Sequence, residues 1–408
     1  MISGPNSTQA NWLSDISWSV SGLAIRRAME FQLARSDDLI VGDDTASGRS
    51  GSRLLLSNPD DALCCLRMWY LFFICDRHLS ILYGRPSTFG DEVSVVKWQR
   101  YLDAISETST DVRLASQIKL LLILDEVIAL FGIISAVRIP VSFQSRLEGF
   151  NHQLDRWIIT WGSRYEPHEQ IGDFPAKALT LHYHFAKLFV SSHVFRGHSS
   201  HAGENPLPAE YHDIAQVAIK SAKGIVDLIT QDLDIRAGFV AMPHYYHTMI
   251  AYACSFLLRL ASNNHNHLGI EQQDILNSIL QVTELCQSTQ CTRYHIIHWM
   301  GSGLREIAEN HKQAMVNQSS NYANHDEQVL EEGIDEDPES STRRPDQELH
   351  VDLWDAVRQA ATTHGHFLGG EPVPTDERTM TGDRMFVPDM ASIGLGSQWE
   401  ALLASFGG

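Results

Sequence analysis

No two cysteines in this chain stand at the Cys-x2-Cys spacing, which removes the zinc ribbon, the zinc finger and the dithiol redox pair from consideration. The six that exist are Cys64, Cys65, Cys75, Cys254, Cys286 and Cys291, most of them inside apolar runs. Free cysteine there behaves as a small hydrophobe, and this usage fits a reducing compartment. Basic side chains are also few, 31 against 50 acidic ones, for a net charge of -19. A surface so acidic repels phosphate backbones unless a basic patch is segregated. Arg26, Arg27 and Arg35 are local and Arg343-Arg344 is a lone pair, so direct nucleic-acid binding by this chain is not expected.

Other absences narrow the field further. The chain opens without a basic start followed by an apolar core, so no signal peptide is expected. The most lipid-like stretch, residues 120–137, is interrupted by Asp125 and Glu126. Their cost at a bilayer centre points to a buried helix and not a membrane span. There is no Gly-x-Ser-x-Gly elbow, no Gly-x-x-x-x-Gly-Lys phosphate loop and no dinucleotide fingerprint. The 20 histidines include no His-Glu-x-x-His; His182 and His184 diverge on a helix, His193, His198 and His201 fall near Glu204 around a loop, and His295 with His298 would share a face. No catalytic residue, resident metal or cofactor is assigned.

What is present is helical periodicity, from about residue 16 to 311. "SWSVSGLAIRRAMEFQLAR" places Trp18, Leu23, Ile25, Met29 and Leu33 as its apolar side. A second helix starts cleanly, with Asn58 as cap, Pro59 at the first position and Asp60 and Asp61 at the positive end of the dipole. It should end near Tyr83, before Gly84 and Pro86. Further helices are expected over about residues 112–137, 143–161, 175–194, 211–233, 245–260 and 270–300. Strand-like alternation is rare and no Asn-Gly or Asp-Gly hairpin pair occurs. The expectation is an all-α fold.

After about Lys312 the character changes. Residues 326–339 hold eight carboxylates and no Lys or Arg, a composition that buries too little to order itself. The division expected is a helical domain, residues 1–311, and an acidic, largely disordered tail, residues 312–408. Near the end, Trp399, Leu402, Leu403 and Phe406 fall at i, i+3, i+4 and i+7. That stripe would either dock on the helical domain or bind a coactivator as an induced helix.

The second helix carries the most distinctive pattern, "RMWYLFFICDRHLSILYGRPSTFGDE". Leu66, Trp69, Tyr70, Phe73, Ile74 and Cys75 occupy most of its circumference, so it should be buried and Asp76 should have a partner. Ser80, one turn on, can donate to Asp76, and Arg85 is the better charge partner because the break at Gly84 lets the chain fold back. Arg77 points elsewhere. These groups either line an effector pocket or form a hydrogen-bonded network that holds the turn in place, the plainer reading.

The stretch resembles the middle homology region of the fungal zinc-cluster (Zn2Cys6) transcription factor family. Asp76, Arg77, Ser80, Gly84, Arg85, Pro86 and Asp91 sit on the positions that carry this resemblance. The first helix looks like the one that precedes it there, and "HYHFAKLFVSSHVFRG" and "HYYHTMIAYACSFLLRLA" are similar to later helices of members that regulate carbon or nitrogen use. Nothing in the chain matches the family's six-cysteine, two-zinc DNA-binding module, so zinc is expected only in such a module. The resemblance implies a nuclear regulator of metabolic or biosynthetic genes, secondary metabolism included. It would work through a coactivator or a partner transcription factor, with self-association and an activation segment in the tail. The alternative is a helical small-molecule sensor without a transcriptional role.

Overall fold

Helix ends in this chain are set by individual residues, and those residues explain where the architecture follows the periodic pattern and where it departs. The protein is described by a computed structural model covering residues 11–31, 33, 59–83, 87–89, 108–132, 137–196, 207–262, 268–269, 271–292 and 295–331. Among the described residues there are ten α-helices and no strand; an isolated bridge pairs His168 with Gly172. They are α1 (Asn11–Glu30), α2 (Pro59–Tyr83), α3 (Ser109–Phe131), α4 (Gln144–Gly162), α5 (Phe174–Ser192), α6 (His212–Gln231), α7 (Leu233–Gly238), α8 (His244–Ser262), α9 (Gln272–Ser288) and α10 (Ile296–Glu331). The fold is all-α, as the periodicity indicated.

Helix α2 occupies the span expected of it, and Leu66, Trp69, Tyr70, Phe73 and Ile74 are all buried. Helix α3 is started by a capping box: the Thr108 hydroxyl accepts from the Asp111 N–H and the Asp111 carboxylate reaches back to the Thr108 N–H. It stops at Phe131, short of the expected residue 137, because Gly132 turns to φ +72 and donates to the Ile128 carbonyl at 2.7 Å. Arg196 then closes that end, with its guanidinium 2.7 and 2.9 Å from the Phe131 and Gly132 carbonyls.

Four other departures from the expected pattern appear. The segment expected over residues 211–233 divides at Asp232, whose carboxylate caps α7 by accepting from the Asp234 and Ile235 N–H groups, each at 3.1 Å. The single helix expected over residues 270–300 is two, α9 and α10. The Ser288 and Thr289 hydroxyls both bond the Leu285 carbonyl, at 3.1 and 2.6 Å, and compete with the backbone for it. Among the described side chains of α1, Ile25 and Ala28 are buried, whereas Leu23 and Met29 are exposed; Trp18 lies outside the described side chains. Leu23 stands two residues from Ile25, about 200° round the helix. Helix α10 also continues past His311 to Glu331. A formed helix extends without a new nucleation cost, and no Gly or Pro interrupts residues 312–331.

The helices share one apolar core. Helix α5 packs on α3, α4, α6 and α8; helix α8 packs on α2, α5, α6, α9 and α10. Helix α2 lies against α1, α3 and α8. The junction of α2, α3, α5 and α8 is therefore internal, and the polar groups placed there have no easy route to water.

Candidate functional site

Asp76 is fully buried on the face of α2 that also carries Trp69 and Phe73. One carboxylate oxygen, Oδ2, accepts from the Ser87 hydroxyl at 2.5 Å, the Thr88 N–H at 2.9 Å and the Phe89 N–H at 3.4 Å. The segment after the helix thus folds back along it, and charge-assisted hydrogen bonds offset the desolvation of the carboxylate. Phe89 sits on the same stripe, its ring edge-on to Trp69 and Phe73 at 4.8 and 5.7 Å between centroids. Ser80 is buried nearby. Gly84, Arg85, Pro86 and Asp91 lie outside the described residues, and with them the expected Arg85 pairing. The partners described for Asp76 belong to the returning segment.

Arg77 leaves the stripe sideways. Its guanidinium bonds Asp125 of α3 at 3.2 Å and lies over the Phe73 ring at 5.3 Å from the centroid. Asp125, which interrupts an apolar run in the sequence, is thereby accounted for; its neighbour Glu126 is exposed. A second clasp joins the same helices about three turns away along α2. Arg67 forms a bidentate pair with Asp111, both bonds at 2.9 Å, and reaches Thr108 at 3.3 Å. The capping box of α3 is thus pinned to α2.

A different set of polar groups meets at the four-helix junction. His78 of α2 is stacked on Tyr245 of α8, centroids 4.3 Å apart and planes 4° from parallel. His182 of α5 lies 5.3 Å from His78 and packs edge-on to Tyr246 at 4.7 Å. Gln117 of α3 is near enough to His78, Tyr245 and Tyr246 to bias the protonation of all three. His78, Gln117 and His182 are 1%, 8% and 1% exposed. Gln117 Oε1 faces a His78 N–H, but the other His78 ring nitrogen and His182 Nε2 have no hydrogen-bond partner among the described residues. A buried polar atom left in that state costs roughly 1–3 kcal/mol, so the junction carries a local deficit.

The protonation states follow from burial. Burial holds His78 well below the usual imidazole range, with His182 adding to the effect, and brings His182 down to about 4. Burial raises the Tyr245 and Tyr246 phenols. His182 Nδ1 faces the Ala178 carbonyl at 2.9 Å and must carry the proton, which leaves Nε2 a bare acceptor. Beside the junction the order is better satisfied: the Ser116 and Tyr165 hydroxyls are 2.8 Å apart, and Trp157 Nε1 donates to the Ser116 carbonyl at 2.8 Å.

His78, Gln117, Tyr245 and Tyr246 were missed in the sequence, and His182 was weighed there only as a metal ligand beside His184. The signal was polar side chains lodged in apolar runs (His78 in "FFICDRHLSILY", His182 in "LTLHYHFAKLFV") with no local partner. Other histidines resolve separately. His193 is buried, His198 and His201 lie outside the described residues with Glu204, and His298 is exposed whereas His295 is half-buried 5.5 Å from His247. Among the described residues no group of three or more His, Cys, Asp or Glu side chains is arranged to hold a metal, and no helix is long and apolar enough to cross a membrane. Trp399, Leu402, Leu403 and Phe406 are outside the described residues.

The chain is similar to the transcriptional activator of proteases prtT of Emericella nidulans, 28% identical over 309 residues, which cover 74% of this chain and 44% of that protein. It spans less than half the length of that curated relative. No family model and no solved structure matches it. The similarity supports kinship with a fungal transcriptional activator.

Proposed function

We propose that this chain is a regulatory helical domain that acts in transcription by RNA polymerase II, in the nucleus, on a metabolic or biosynthetic gene set. The observation that carries this reading is the 309-residue similarity to a transcriptional activator. The α2 motif supports it, because Asp76, one of the positions that carry the family resemblance, binds Ser87 and Thr88 just beyond the Gly-Arg-Pro sequence. In this reading the chain works through protein–protein contacts with a coactivator or a partner transcription factor. Promoter contact comes from a zinc cluster outside it or from that partner. The acidic segment with the Trp399, Leu402, Leu403 and Phe406 stripe recruits the transcription machinery.

The test is a tethering assay. The full chain is fused to a heterologous DNA-binding domain in a fungal host carrying the matching reporter, and Trp399→Ala/Phe406→Ala is compared with it. A change in reporter output that the tail variant weakens supports the reading. Output equal to that of the DNA-binding domain alone, with the fusion confirmed in the nucleus, overturns it. A second reading, a helical small-molecule sensor without a transcriptional role, is favoured by the unpaired polar atoms at the junction.

A further inference from the structure

We propose that the outward face of α1 is the docking surface for an apolar segment of this same chain, the one that carries Trp399, Leu402, Leu403 and Phe406. Helix α1 has two apolar sides. It packs on α2, and Ile25 and Ala28 are buried. Val20, Leu23 and Phe31 are 61%, 61% and 59% exposed. At about 100° per residue these three fall within about 80° of one another, and the buried pair is centred about 130° away. The Phe31 N–H still bonds the Arg27 carbonyl at 3.0 Å, so the exposed stripe runs helically as far as that ring. An exposed apolar stripe at this spacing is shaped for a second helix with a stripe of its own.

Charge and reach select the occupant. Arg27 stands inside the stripe, paired with Glu30 and with its guanidinium 5.3 Å from the Phe31 ring centroid; Arg26 is exposed beside it. Residues 20–35 hold three arginines against one carboxylate, in a chain of net charge -19. A second copy would bring the same arginines to the contact, which opposes it. Residues 332–408 instead hold fifteen carboxylates against five arginines, and Glu400 falls between Trp399 and Leu402. That segment matches α1 in spacing and opposes it in sign. Reach is no obstacle, since 67 residues separate Glu331, the end of α10, from Trp399. Even at the helical rise of 1.5 Å they span about 100 Å, against a radius of gyration of about 19 Å for a 300-residue domain. The encounter is intramolecular and gains from the tether. Docking holds back the segment that recruits the transcription machinery in the reading above. The contact is measured on the isolated chain, so it stands or fails separately from that reading.

The experiment places the photoreactive residue p-benzoylphenylalanine at position 23 of the full chain, in place of the exposed Leu23. The dilute protein is irradiated and the cross-linked peptides are mapped by mass spectrometry. The expected result is a cross-link within one chain, from position 23 to residues 396–408. Trp399→Ala/Phe406→Ala should lower its yield about tenfold, as the loss of two ring anchors does in an apolar contact. Arg26→Glu/Arg27→Glu should lower it about threefold, the value of an exposed ion pair. Helical circular dichroism checks the fold of each chain, and the tail variant decides if the arginine variant fails to fold. A cross-link joining two copies gives the face to a second copy and overturns the proposal. So does the absence of any cross-link, cross-links to other segments only, or a yield that the tail variant leaves unchanged.

Discussion

Phe89 and Trp69 are held ring to ring at 4.8 Å and 65° although twenty positions separate them, because the chain reverses after α2 and Asp76 grips the returning strand of backbone. The position of Phe89 is thus a property of Asp76. Replacing Asp76 by Ala leaves the Thr88 N–H and the buried Phe89 N–H without their acceptor, while the Ser87 hydroxyl keeps the Phe89 carbonyl at 3.1 Å. The expected loss is about 3 kcal/mol, read as a shift in the urea midpoint with unchanged slope.

Removal of the ring itself tests the same unit from the other side. Phe89→Ala should cost about 3 kcal/mol by vacating a filled space against Trp69 and Phe73. In a double-mutant cycle with Asp76→Ala the two losses should sum to less than their separate values, since either one releases the segment. Strict additivity would mean the carboxylate and the ring act independently.

Arg77 should matter far less than its neighbour. Its bond to Asp125 is 3.2 Å long and the two side chains are 18% and 25% exposed. Arg77→Ala is expected to lower stability by about 1 kcal/mol or less, and 0.5 M salt should erase part of the difference. A loss as large as that of Asp76→Ala would contradict the partition drawn between the two motif residues.

Helices α9 and α10 approach closely at Gly301, where an added Cβ would stand 2.6 Å from the Cys286 Cβ. Gly301→Ala should destabilise the chain by about 2 kcal/mol through overpacking. Cys286→Ala cannot relieve that clash, because it keeps the offending carbon, whereas Cys286→Gly in the same chain should recover part of the loss. Thermal melts of the four chains decide the matter.

Acid should unfold this protein through its histidines. Burial brings His182 to about 4 and His193 and His247 to about 3, all below the ordinary imidazole value of 6.5. Each is neutral when folded and takes up a proton more readily when unfolded. Stability from these groups is complete above about pH 6.5 and falls as the pH drops from there toward 4. Melting temperature measured across that window should decline steadily, and His182→Phe should make the decline shallower.

Periodicity sufficed for the helices whose ends are marked by strong local chemistry. Pro59 and Tyr83 bound α2 as read, since a first-position proline and a following Gly-x-Pro act within a few residues. Boundaries set by weaker devices were not legible. The break after α9 depends on two hydroxyls choosing the Leu285 carbonyl, and the stop of α3 depends on Gly132 taking a positive φ in front of Arg196, sixty-odd positions later. Asp76 announced itself as a buried charge, but its described partners are backbone groups, which carry no side-chain signature. Gln117, His182 and Tyr245 come together only through the packing of α3, α5 and α8, and no spacing along the chain records that.

The Asp76 clasp also fixes how this region can come apart. Two of its three bonds go to amide protons, those of Thr88 and Phe89. Those amides are bonded to a carboxylate rooted two turns inside the end of α2, so fraying of the last residues of the helix cannot uncover them by itself. Their exchange with solvent should follow the opening of α2 and not of the loop, which makes the end of the helix and the segment beyond it one cooperative unit.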